Sequence, residues 1–155
     1  MKILFLNGSP NPNGNTVSLA ETLLAGHDYD TLNLIDYQIN VYGQNIHGDQ
    51  FDKVLEKVFS ADVLVIGSPL YWHNICGSVR TFLDRCYGPV EPGSLNGKLF
   101  FLFQGASPKK WMMEAGEFTI ARFGALYGLS YQGMATTKEE AAALAAKLLM
   151  KGNIL

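Results

Sequence analysis

The sequence has no long apolar span, no excess of charge of either sign, and only two cysteines in 155 residues. Each shortage removes a class of function. Without a long apolar span, and with Met1-Lys2 leading directly into an apolar segment, neither a membrane helix nor a signal peptide is expected, and the cytoplasm is the expected compartment. Twelve basic against fourteen acidic residues leave a net charge of −2, which argues against a nucleic-acid footprint and against a strongly acidic docking surface. A small molecule is the expected partner. Cys76 and Cys86 stand ten positions apart on what reads as one helix, roughly 15 Å along its axis, too far for a disulfide. Both are expected to be reduced. No internal repeat or low-complexity segment is evident, and the length suits one domain, residues 1–155, with 48% hydrophobic residues to build its core.

Two familiar phosphate-binding signatures are also missing. A Walker loop ends in Gly-Lys-Ser/Thr, whose lysine reaches the outer phosphates of a nucleotide; the corresponding stretch here is Gly14-Asn15-Thr16. The dinucleotide fingerprint requires three glycines at fixed spacing, which Gly8 and Gly14 do not supply.

What is present is Met1 to Thr16, MKILFLNGSPNPNGNT. The run KILFL suits a strand buried on both faces of a parallel sheet, and the small, polar loop after it leads into an amphipathic helix marked by Thr16, Leu19, Leu23 and Leu24, ending near Gly26. A strand, a Gly/Ser/Asn loop and a helix N-terminus bring unpaired backbone N–H groups and the positive end of a helix dipole to one place. Ser9, Asn15 and Thr16 add side-chain donors. A cation-free loop of neutral donors suits a terminal phosphomonoester. The same composition also suits a loop whose polar side chains simply cap the helix.

Further along, Tyr29–Ile35 reads as a weaker outer strand, Asp36–Gly48 as an irregular connection, and Phe51, Val54, Leu55, Val58 and Phe59 as one face of a second helix. Val63–Ile66 is another fully apolar strand, followed by a second informative loop, Gly67-Ser68-Pro69-Leu70-Tyr71-Trp72-His73-Asn74-Ile75. The apolar surface of Leu70, Tyr71, Trp72 and Ile75 needs a partner: a flat aromatic ligand would serve, and so would two of the four tucking back under the sheet, although that explains Tyr71-Trp72 together less well. His73 is of the right type for a base, but no carboxylate or nucleophile stands beside it, and it reads as a solvated loop residue. Val79, Phe82, Leu83 and Cys86 mark a third helix. KLFFLF, from Lys98 to Phe103, is a third buried strand and opens into Gln104-Gly105-Ala106-Ser107-Pro108. A helix over Trp111–Leu126, a short strand over Leu129–Met134 and a capping box, Thr136 with Glu139, opening a last helix complete the chain.

Strands alternating with helices specify a parallel sheet covered on both faces. With five strands in the order 2-1-3-4-5, ligands bind where strand order reverses, between strands one and three. The loops after those two strands are the ones singled out above.

The segments GSP…GNT and SPLYW, with Gly77 and then Phe82-Leu83-Asp84-Arg85, resemble the flavodoxin-like NAD(P)H-dependent FMN reductases, which include small quinone and azo-compound reductases. The resemblance covers nearly the whole chain and implies a three-layer α/β sandwich. It implies that Ser9, Asn15 and Thr16 hold the FMN phosphate, that Pro69, Leu70, Tyr71, Trp72 and Asn74 line the isoalloxazine, and that Gln104, Gly105 and Ala106 contact its other edge. It further implies NAD(P)H as co-substrate, a small planar electron acceptor, and a homodimer with the flavin near its interface. No catalytic acid, base or nucleophile and no metal is expected, because the flavin carries the redox chemistry. Some relatives hold an iron–sulfur cluster on cysteines after strand two; Val41–Gly48 has none. Two other readings share the fold: a flavodoxin-type electron carrier, and an interaction domain that has lost its flavin.

Overall fold

The computed structural model describes residues 1–150; the last five positions of the expected domain lie outside the described residues. The chain runs β1 (Ile3–Asn7), α1 (Asn15–Leu23), β2 (Asp30–Asn33), α2 (Phe51–Phe59), β3 (Val63–Tyr71), β4 (Asn74–Ile75), α3 (Gly77–Arg85), β5 (Lys98–Gln104), α4 (Lys110–Tyr127), β6 (Ser130–Ala135) and α5 (Lys138–Leu149). Apart from β4, the strands are parallel in the order β2-β1-β3-β5-β6. Counting only parallel strands, this is the expected order.

The apolar runs sort by pleat. Leu4, Leu6, Leu64, Ile66, Leu99, Phe101 and Phe103 face α2, α3 and α4, packing on Phe51, Val79, Phe82 and Phe123. Ile3, Phe5, Val63, Val65, Phe100 and Leu102 face α1 and α5, against Leu19, Leu23, Ala141 and Leu144. Period-two alternation with both faces buried is what an unbroken apolar strand means in a parallel sheet.

Several boundaries differ from expectation. The second strand stops at Asn33, opposite Asn7 where β1 itself ends, so Leu34–Asp36 turns as a 3-10 segment while Leu34 stays buried. The segment from Gly67 to Ile75 is not a loop. Strand β3 runs on through Tyr71, a two-residue turn at Trp72-His73 reverses it, and β4 pairs back antiparallel, Leu70 with Ile75 and Tyr71 with Asn74. Pro69 is tolerated because β1 pairs with β3 only as far as Gly67 and β4 only from Leu70, so that at Pro69 itself β5 is the one strand beside β3. Cys76 and Cys86 flank α3 rather than sit on it, and both are buried and free. Burial pushes the Cys86 thiol up to about 12, which suits an inert core residue. The last strand begins one residue later than expected, with a bulge between Leu99 and Phe100.

The cap of α5 also lies one residue further on. Thr137 Oγ1 accepts the Glu140 N–H at 3.2 Å, and the Glu140 carboxylate accepts from the Thr136 N–H at 2.7 Å and hydroxyl at 2.8 Å. Ala141 is thereby turned into the core.

Candidate functional site

Three loops open at the carboxyl edge of the sheet: after β1, at the β3–β4 hairpin, and after β5. The β1–α1 loop is anchored from below. Gly8 N–H donates to the Gly67 carbonyl at 2.8 Å, and the Gly8 carbonyl accepts from Ser78 Oγ at 2.8 Å and Cys76 Sγ at 3.4 Å. Buried Asn7 accepts the Ser9 N–H at 3.0 Å and donates to Asn33 at 3.0 Å. Sequence reasoning missed Asn7, Cys76 and Ser78 as supports of this loop. No local spacing marks them, since two of them reach Gly8 from about 70 positions away.

The loop's polar side chains do not cap α1. The residue at the cap position is Gly14, and no side chain accepts from the first turn. The reading in which Ser9, Asn15 and Thr16 serve only the helix is therefore not what the structure contains. Ser9 is buried and its hydroxyl closes its own loop, accepting the Asn11 N–H at 3.1 Å. Thr16 is fully buried, and its hydroxyl accepts from Gln104 Nε2 at 3.4 Å. A hydroxyl that accepts from an amide keeps its own proton to donate. Asn15 is exposed at the mouth of a cavity of about 380 Å3 that it shares with Ser18, Gln104, Gly105, Thr137 and Lys138.

The structure thus joins Asn15, Thr16 and Gln104, and it joins Pro69 and Leu70 to Gln104 and Gly105. Pro69 pairs with Gln104 across β3–β5. A Cβ on Gly105 would come within 2.7 Å of Leu70 Cβ, so only glycine lets these loops meet. Gly67 plays the same part below, where a Cβ would strike Phe5 and Thr16 at 2.7 Å. Ala106 is exposed. Asn74 is spent locally, its side-chain oxygen accepting the Ile75 N–H at 2.8 Å.

The hairpin tip is strained. Trp72 and His73 have φ of 47° and 67°, the conformation in which turns of this length favour Asn-Gly. Two bulky residues in the left-handed region cost roughly 1–2 kcal/mol each. Trp72 is 94% exposed and Tyr71 49%, so the strain displays aromatic surface rather than burying it. His73 packs against Trp111 at the start of α4, ring centroids 5.5 Å apart and planes tilted by 51°. Trp111 is a further aromatic at this edge that sequence reasoning placed only as the start of a helix.

The donor set fits a phosphomonoester: uncapped N–H groups at the start of α1, the Thr16 hydroxyl and the Asn15 amide, with no carboxylate among them, while the Ser9 hydroxyl here donates to the Asn11 carbonyl at 3.4 Å and would have to turn to join them. A larger groove, of about 440 Å3, lies between α3 and α4, but none of the loop residues lines it. The donors, rather than the volume, mark the site. Among the described residues no group of three or more His, Cys, Asp or Glu is placed to hold a metal ion.

An open, five-stranded parallel sheet of this order, covered by helices on both faces and opening into loops at its switch point, defines the flavodoxin-like class of α/β proteins. The model of the NADPH-dependent FMN reductase family matches residues 1–147, and the chain belongs to that family. An iron–sulfur flavoprotein of Archaeoglobus fulgidus is 38% identical over 98 residues, covering 55% of this chain and 48% of the relative. An NAD(P)H dehydrogenase (quinone) of Geobacter sulfurreducens is 32% identical over 80 residues, covering 52% and 37%. The chain spans about half the length, or less, of these curated relatives. The solved structure of the Trp repressor binding protein from Bacillus subtilis superposes with a TM-score of 0.73 at 20% identity, covering 96% of this chain and 99% of that one. That likeness is one of fold. No helix among the described residues is long and apolar enough to cross a membrane.

Proposed function

We propose that this chain is an FMN-dependent NAD(P)H oxidoreductase that serves a quinone, a flavin or a similar planar acceptor, working as a homodimer. The observation that carries the reading is the β1–α1 loop: its donors are anchored in place and its helix is left uncapped. Bound there, FMN would supply two-electron redox chemistry between a nicotinamide and the acceptor.

The chain's own work is holding and shielding. Ser9, Asn15, Thr16 and the first-turn N–H groups hold the phosphate. The N–H groups of Gln104, Gly105 and Ala106 are candidates to stabilise negative charge on the ring system. Pro69, Leu70 and Tyr71 form a wall, and Trp72 flanks the open face. A nicotinamide and a planar acceptor both need that face, so they take turns and ping-pong kinetics follow. Family membership supports the cofactor, and the Geobacter sulfurreducens relative's name supports a quinone-type acceptor.

The test is the visible spectrum of the FMN-loaded protein before and after anaerobic NADPH or NADH. Bleaching within seconds, reversed by a quinone, is expected. A flavin that stays oxidised for minutes yet yields a stable semiquinone with dithionite replaces this reading with the electron carrier.

A further inference from the structure

We infer that Lys138 is the counter-charge for the FMN phosphate: its ammonium, brought in by α5, completes a site whose own β1–α1 loop holds no cation. This role rests on the FMN reading above and adds a residue from a distant part of the chain. Helices α1 and α5 share one face of the sheet, with Leu19 and Ala141, one turn into each, in the same core cluster. Both follow strands of the one parallel sheet, so both begin at its carboxyl edge. Lys138, the first residue of α5, lines the cavity of about 380 Å3 together with Asn15, Ser18 and Gln104.

The needs of α5 do not explain a lysine there. The first turn of a helix carries the positive end of the dipole, which favours acids; Glu139 and Glu140 meet that preference and Lys138 opposes it. At the other end of the same helix the preference is met, where Lys98 Nζ donates to the carbonyls of Lys147 and Leu148 at 2.6 and 2.9 Å. Lys138 is exposed and makes no ion pair among the described residues, and the Glu140 carboxylate is already held by Thr136. A charge set against its own helix and left without a protein partner suits a ligand that supplies the partner.

The neutral donors and the lysine do different things. Hydroxyl, amide and backbone N–H groups fix the orientation of a phosphate at short range, whereas an ammonium on a flexible stem acts as a point charge. At an exposed mouth its attraction is screened by salt. Affinity should therefore follow the charge at position 138 rather than the shape of the side chain, and only for the flavin that carries a phosphate.

Fluorescence titration of FMN and of riboflavin, at low and at high salt, tests this on wild type, Lys138→Gln, Lys138→Arg and Lys109→Gln, with urea unfolding confirming that each is folded. Lys138→Gln should weaken FMN by roughly tenfold at low salt and leave riboflavin as it was, and added salt should narrow the gap. Lys138→Arg, which keeps the charge, should restore most of the affinity. Lys109, a second lysine at a helix start, lies outside the cavity, and Lys109→Gln should change neither flavin. Unchanged FMN binding in Lys138→Gln, an equal loss of riboflavin, an arginine variant as weak as the glutamine one, or an equal effect at Lys109 overturns the role of Lys138 and leaves the proposed function standing. A wild type that binds neither flavin overturns both.

Discussion

Helices α1 and α5 lie on the same face of the sheet and share one core cluster, Leu19 and Leu23 from one with Ala141 and Leu144 from the other, yet their N-termini are treated in opposite ways. Helix α5 is closed by its own side chains, Thr137 onto Glu140 and Glu140 back onto Thr136. Helix α1 is preceded by Ser9, Asn11, Asn13 and Gly14 and is capped by none of them. Polar residues of the same kinds thus stabilise a helix in one place and stand free of it in the other. The difference is that the α1 loop is held from outside, by Ser78, Cys76 and Asn7, and does not depend on its helix for shape. An end that needs no cap is available to a ligand.

The strongest way to break this comparison is to remove the free donors. Asn15→Ala with Thr16→Val should weaken FMN by about 1–3 kcal/mol for each charge-assisted bond lost, while riboflavin, which has no phosphate, binds as before. Fluorescence quenching on titration of each flavin measures both. Equal losses would move the phosphate elsewhere and leave α1 as an ordinary uncapped helix. At α5 the opposite pattern is expected. Thr137→Ala should cost about 1 kcal/mol of stability in urea unfolding, since its hydroxyl caps the helix by accepting the Glu140 N–H.

The hairpin offers a second contrast, between strain and function. Replacing Trp72-His73 by Asn-Gly should stabilise the protein by roughly 1 kcal/mol or more, since both positions then suit the left-handed turn. The same exchange should slow both half-reactions in stopped-flow, because Trp72 leaves the open face. His73→Ala alone should change either rate only modestly. A doubly substituted protein that is more stable and fully active would show that the exposed tryptophan serves something other than turnover.

Most of the sheet was legible because KILFL, VLVI and KLFFLF have no polar face to expose, and only the middle of a parallel sheet accepts such runs. The switch point followed from strand order. The hairpin was not legible. Gly67-Ser68-Pro69 has the composition of a loop, and what extends it as strand is β5, paired residue for residue as far as Gln104. The register of the α5 cap was missed by one residue because Thr136-Thr137 and Glu139-Glu140 offer two equivalent boxes. Packing of Ala141 decides between them. The Gly8 anchors are long-range contacts, and nothing in a linear pattern announces them.

The smallest expected effect separates the two helix ends by pH. Helix α5 has Glu139 and Glu140 in its first turn, whereas α1 has no acid there. The Glu140 carboxyl is held below its ordinary value of 4.5, chiefly by the Thr136 N–H and then by the Thr136 hydroxyl, against a smaller opposing effect of burial. A depressed carboxyl contributes stability that is fully present above its unfolded value and is lost as pH falls through its folded value. The α5 cap should therefore weaken from about pH 4.5 downward. Asp49 is also depressed: desolvation, its largest single effect, raises it, but the bond to Arg85 and the Phe51 and Asn40 N–H groups together outweigh that, and it titrates in the same direction. Its contribution is common to wild type and to Glu140→Gln, so the difference between their urea midpoints isolates the cap. That difference should be largest at pH 7 and shrink as pH falls through the folded value of the Glu140 carboxyl, below which the wild-type group is itself neutral. Over the same range, Asn15→Ala should show no such convergence with wild type, because no carboxyl titrates in the first turn of α1. A gap between wild type and Glu140→Gln that stays constant with pH would mean that Glu140 acts through shape rather than charge.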